Sequence, residues 1–173
     1  MYRLMPKKTN NKAQKIVAIL FFAAAALMLL SAVLKGVMPY VWTIQLLSIC
    51  FLVGAIFLVS RYLTKIFVYE IAQSDGGIDF AVSESYTSGK RFVTVCRIGL
   101  NTVQKTILLD GERGKSELAE LKSKKYRVYD YRPDLLPEKS IALVSDEGGN
   151  DIVILLAYDG ELLSYFTQND TEN

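Results

Sequence analysis

Ile16 to Leu34 reads IVAILFFAAAALMLLSAVL, nineteen residues without a charge. After Lys35-Gly36, Val37 to Ser60 reads VMPYVWTIQLLSICFLVGAIFLVS, a second uncharged run of 24 residues. At 1.5 Å of rise per residue the first run makes about 28 Å of helix, close to the hydrocarbon thickness of a bilayer. Pro39 suits the first turn of the second helix, where its missing N–H is no loss. The predicted spans are 16–34 and 39–60. Helices of this length in a soluble core normally carry a polar face, and neither run has one. A cleaved signal peptide fits the basic start, but the apolar run is too long and a second follows almost at once.

Charge divides the chain at the same place. The first 60 residues carry Arg3, Lys7, Lys8, Lys12, Lys15 and Lys35 and no acid, a charge of +6. The remaining 113 residues hold the other 14 basic residues and all 18 acids, a charge of −4. The short linker makes the spans an antiparallel hairpin, and basic flanks orient such a hairpin. The expectation is a cell-membrane protein crossing twice, with both termini in the cytoplasm. Lys7, Lys8, Lys12, Lys15, Arg61 and Lys65 are the candidate headgroup contacts, with Tyr40 and Trp42 as the aromatic belt at the opposite end. No ionisable residue lies in either span, which argues against transport by this chain alone. Gln45 is positioned to meet a partner helix or the headgroups, and Ala23 to Ala26 suit close helix packing.

From Arg61 the pattern changes. Runs at 64–71, 78–85 and 91–98 read as an antiparallel meander with turns at 74–77 and 87–90. Residues 101–109 fit a helix or a strand equally. Ser116 to Lys125 reads as a surface helix capped by Ser116. Residues 126–131, 140–145 and 151–158 read as strands, the last two joined by Gly148-Gly149-Asn150. A short amphipathic helix begins at Asp159, with Leu162, Leu163 and Phe166 on its apolar side. Residues 167–173 read as a flexible tail. The division expected is a basic N-terminus at 1–15, a transmembrane hairpin at 16–60 and a cytoplasmic α+β domain at 61–166.

The available chemistry is sparse. Histidine is absent, which removes His-based catalysis and His-ligated metals. Cys96 alternates with core residues, and Cys50 sits in a span, so neither reads as a reactive thiol. Gly114-Lys115-Ser116 matches the end of a phosphate loop, but Leu109 stands where its first glycine belongs, so 110–115 reads as an exposed loop. Asp146, Glu147 and Asp151 flank a turn and lack a calcium-loop pattern. No catalytic, cofactor or metal residue is assigned, and an enzyme is not expected. Lys90 and Arg91 at the second turn offer a contact to lipid phosphates or an acidic partner, although water alone can solvate a charged turn.

The run TSGKRFVTVCRIGL (87–100), the late strands and the closing AYDGELLSYF (157–166) together resemble bacterial membrane proteins carrying a pleckstrin-homology-like (PH-like) domain. That resemblance implies an antiparallel sheet or partly open barrel with a C-terminal capping helix, and a binding role. Relatives that bind phosphoinositides use basic residues in the first hairpin. Here 73–77 has none, so no site is carried over. The function expected is a membrane-anchored cytoplasmic interaction or scaffolding domain. The alternative is an accessory subunit of a transporter or enzyme complex acting through its helices. Expected partners are the bilayer and a protein or second copy of the chain, with neither nucleic acid nor a small-molecule substrate.

Overall fold

The structure, a computed structural model, describes residues 2–36, 40–74, 77–86, 91–124 and 126–170. Pro39, Lys90, the turn residues 75–76 and 87–90, and the last three residues of the chain lie outside that set. The chain divides into two compact units. One is Asn10–Lys65; the other joins Met1–Thr9 to Ile66–Asn173.

The first unit is a pair of helices, α1 (Lys12–Leu34) and α2 (Val41–Leu58), each long and apolar enough to cross a membrane. α2 continues through Val59–Leu63 as a wider π-helical turn. Small residues occupy most of the buried positions: Ala13, Ala24 and Ser31 with Val17 on α1, Ser48 and Ala55 on α2. Ala24 and Ser31 are seven residues apart, as are Ser48 and Ala55, so each pair returns to one face after two turns. The Ser48 hydroxyl donates to the Ala24 carbonyl at 2.9 Å. The large side chains point the other way, with Phe22 78% and Val33 77% exposed.

The second unit is a sandwich of two four-stranded sheets. One runs β1 (Tyr2–Leu4), β2 (Lys65–Ser74), β3 (Gly77–Tyr86), β4 (Val93–Gly99), with neighbours hydrogen-bonded in that order. The other contains β5 (Val103–Asp110), β6 (Arg127–Asp130), β7 (Lys139–Glu147) and β8 (Asn150–Ala157) in the order β5-β7-β8-β6. Phe67, Tyr69, Phe80, Val82, Ile141, Leu143, Ile154 and Leu156 form the core between them. Burying each such side chain contributes about 1.5–3 kcal/mol. Helix α4 (Gly160–Asp170) adds Leu162 and Phe166 to this core, with the Phe166 ring edge-on to Phe80 at 5.3 Å. Helix α3 (Gly111–Ser123) covers the other face of the second sheet, where Leu121 meets Leu109, Ala142, Val144, Val153 and Leu155. β7 and β8 are therefore covered on both faces, which is why their centres read IALV and IVILL without alternation.

Several expectations change. Residues 2–4, assigned to a basic flank, form β1, antiparallel to β2 with Tyr2 opposite Ile71. Three residues carry too little pattern to reveal a strand whose partner is so distant. α1 starts at Lys12 rather than Ile16 because Lys, Ala and Gln extend a helix readily, so Lys12 and Lys15 sit on its first turns. The ambiguous 101–109 becomes one 3-10 turn, Leu100–Thr102, followed by β5. The expected loop at 110–115 is instead the end of β5 and the start of α3. Ser116 accordingly does not cap α3; its hydroxyl bonds the Arg113 carbonyl within the helix. Gly111 has φ +53°, and a Cβ on Gly114 would lie 2.6 Å from the Leu109 carbonyl carbon. β6 pairs with β8 in parallel, not antiparallel, because α3 carries the chain across the sheet. The sheets do not close into a barrel. Thr167 to Asp170, expected to be frayed, continue α4.

Candidate functional site

Among the described residues the chemistry-bearing side chains do not converge on a reaction centre. Among the described residues no group of three or more Cys, Asp or Glu side chains could hold a metal ion. Cys50 is exposed on α2, while Cys96 packs half-buried against the main core. The Gly-Lys-Ser run lies inside α3, so no loop is left there to cradle a phosphate. Asp146 accepts a bond from the Gly149 N–H at 2.7 Å, closing the β7–β8 turn.

Two carboxylates hold the N-terminal segment. Asp159 Oδ1 accepts the Glu161 and Leu162 N–H groups, both at 3.0 Å, which caps α4. The same oxygen accepts the Tyr2 hydroxyl at 2.9 Å, and the Tyr2 ring packs 5.2 Å from Tyr165. Burial, then the hydrogen bond to Asp159, raises the Tyr2 pKa. Asp134, buried between Pro133 and Leu135, accepts both the N–H (2.8 Å) and the hydroxyl of Thr9. Desolvation lowers the pKa of Lys8, with the Asp134 charge pulling the other way. Arg3 pairs with Glu70 at 3.0 Å directly across the strands. Sequence reasoning missed this strap because each anchor lies far from residues 2–9 along the chain.

The expected headgroup residues fall in both units. In the helical unit the short connection makes α1 and α2 antiparallel. Lys12 and Lys15 at the start of α1 therefore share an end with Arg61, which stacks over Tyr62 at 5.1 Å. Tyr40 and Trp42 are exposed at the opposite end. Lys7 and Lys8 are exposed on the strap, and Lys65 opens β2. Gln45 is exposed on α2 among apolar neighbours. Arg91 is exposed at the head of β4; Lys90 lies outside the described residues.

A groove of about 1000 Å³ runs between β5 and α3, lined by Lys105, Leu108, Arg113, Glu117 and Tyr126 among others. Several of its charges are paired: Arg113 with Glu117 and Lys124 with Glu120, both at 3.1 Å, and Asp110 with Lys139 at 2.9 Å. Those bonds raise the Lys124 and Lys139 pKa values. β5 ends its sheet, and an exposed lysine such as Lys105 is a common guard against edge-to-edge pairing.

Comparison with family models, with curated proteins and with solved structures finds no match to this chain.

Proposed function

We propose that this chain is a membrane-anchored interaction domain on the cytoplasmic face of the cell membrane, held there by a two-helix transmembrane hairpin. The observation that carries the reading is the inside-out helical pair. Small side chains face inward, and Phe22, Leu29, Val33, Trp42 and Phe57 face outward. Water penalises that surface and hydrocarbon does not. β1 precedes the helices and pairs with β2, which follows them. Strand pairing across a bilayer is impossible, so an even number of crossings fits the fold, and the basic flanks favour the cytoplasmic side. Interaction is favoured over catalysis because the carboxylates of Asp134 and Asp159 are taken up in holding Thr9, Tyr2 and the start of α4. PH-like ancestry agrees with the capping position of α4, while the parallel β6–β8 pair departs from the purely antiparallel pattern.

The accessory-subunit reading draws on Gln45, whose amide lies on the apolar outer surface of α2. A primary amide in hydrocarbon needs a hydrogen-bonding partner, which a helix of another subunit would supply.

Alkaline extraction of membranes followed by thiol labelling tests the anchor. The chain should stay in the membrane pellet. Cysteines placed at Lys7 and Glu161 should label only after the inner face is opened. Release by alkali, or labelling from outside intact cells, would sink the reading. Photo-crosslinkers at Lys105 and at Gln45 in intact membranes then separate a partner on the sandwich from one on the helices.

A further inference from the structure

The outer edge of β5 offers unpaired backbone. The Gly111 N–H donates to the Glu138 carbonyl at 3.4 Å, one step beyond the Asp110–Lys139 pair in the β5–β7 register. A strand directs the backbone groups of successive residues to opposite sides. Those of Lys105, Ile107 and Leu109 therefore turn towards β7, and those of Thr106, Leu108 and Asp110 turn away from it. Among the described strands β5 ends its sheet, and all three outward residues line the groove beside α3.

An edge of this kind accepts another strand, and its residues suit a second copy of β5. Set antiparallel about a two-fold axis at Leu108, the outward residues meet one another: Leu108 faces Leu108, and Thr106 faces Asp110 in both directions. Each of these pairs exchanges two backbone hydrogen bonds. A slide of two residues either way loses one of the pairs, and a slide of one sets outward groups against inward ones. Leu108, 40% exposed, covers its symmetry mate. The Thr106 hydroxyl oxygen, closed off from solvent and bonded to no protein group, gains a carboxylate across the strands, reached by one staggered step about χ1. Lys139 holds Asp110 Oδ2, and the carboxylate has a second oxygen to offer. Lys105, the guard on this edge, falls opposite Gly111 of the second copy, which has no side chain to hold it off. The groove walls carry Lys105, Arg113 and Lys124 against Asp110, Glu117 and Glu120. Two identical walls therefore do not repel, whereas a strongly charged peptide of either sign finds no opposite surface.

We propose that two copies of this chain pair through β5, joining their second sheets into one continuous sheet with Leu108 on the two-fold axis. Resting on the interaction reading above, this names the partner as the chain itself; the membrane anchor does not enter.

Light scattering of the full chain in detergent micelles is the test. The protein mass should be that of two copies and fall to one on dilution. Leu108→Lys and Leu108→Asp each set like charges on the axis, so each should be monomeric alone, and the two mixed should dimerise again. Thr106→Val removes both side-chain bonds across the strands and should weaken the dimer about tenfold. In a Cys50→Ser, Cys96→Ala background, Leu108→Cys should crosslink to its mate under mild oxidation. Lys105→Cys, with its mate about 20 Å away along the strands, should not. The crosslinks decide the matter should the charged variants fold poorly. A monomer at every concentration overturns the proposal and leaves the anchor and some other partner standing. Failure of both the mixture and the Leu108→Cys crosslink overturns it too. A dimer that Leu108→Lys leaves intact overturns the β5 edge in favour of the helices, and crosslinking at 105 as readily as at 108 overturns the register. Release from membranes by alkali with the dimer intact overturns the anchor alone.

Discussion

The hydroxyl of Tyr2 and the carboxylate of Asp159 meet at 2.9 Å, tying the first strand of the chain to the cap of its last helix. Because Asp159 also holds the Glu161 and Leu162 amides, one oxygen joins two elements that sequence separates by most of the chain.

Tyr2→Phe removes one hydrogen bond to a carboxylate while keeping the ring on Tyr165. It should cost about 1.5–3 kcal/mol, the range for bonds to charged groups. Asp159→Ala loses the helix cap as well, adding about 1 kcal/mol. The double variant should cost less than the sum of the two. Denaturant unfolding in detergent measures all three, and strict additivity would mean that the two residues act independently.

Alkali should reveal the same contact. An unfolded tyrosine titrates near about pH 10. Burial raises the folded pKa of both Tyr2 and Tyr131. The unfolded chain therefore loses its protons first, and the stability present below about pH 10 should fall as pH rises towards the folded values. Melting temperature measured from pH 8 upward should decline, with a shallower slope in Tyr2→Phe and in Tyr131→Phe. A slope unchanged in both variants would contradict the assignment.

Thr106 carries a cost that a mutation can remove. Its hydroxyl oxygen is closed off from solvent and hydrogen-bonded to no protein group. Thr106→Val keeps the shape and β-branching while deleting the hydroxyl. It should raise stability by up to about 1 kcal/mol, the lower end of the cost of an unsatisfied buried group. A fall in melting temperature would show that the hydroxyl has a partner.

The helical pair makes a sharper test of packing than of polarity. Ser48→Ala removes one inter-helix hydrogen bond, worth about 0.6 kcal/mol between membrane helices. Ala55, with no exposed surface, has no room for a larger side chain. Ala55→Leu should cost about 1–3 kcal/mol through overpacking. Detergent titration in mixed micelles ranks the two, and the reverse order would mean that the hydroxyl dominates the pair.

The elements legible in the sequence are those whose own residues decide them. The two apolar helices show in uninterrupted hydrophobicity, and β7 and β8 show in short apolar runs around Gly148-Gly149. The meander shows in alternation. What stayed hidden depends on distant partners. β1 is three residues long, and nothing near Tyr2 announces Ile71. The parallel pairing of β6 follows from the path of α3 across the sheet. The first turn of α3 is hidden because Ser116 reads as a cap and the glycine-rich 110–115 as a loop. The structure uses Gly111 for a left-handed turn and Gly114 for a close approach to Leu109. Of the contacts that hold the N-terminal segment, neither Tyr2–Asp159 nor Thr9–Asp134 is legible, since each joins residues more than a hundred positions apart.

Placing the helices between β1 and β2 also sets a timetable for biogenesis. The first strand is synthesised before either helix, and its partner emerges only after both. The growing chain must therefore keep residues 2–4 unpaired until both helices, which lie within Asn10–Lys65, have been made. Only then can the sheet accept its outer strand. A truncated chain beginning at residue 61 would skip that wait but leave the flank of β2 bare, a ready template for aggregation.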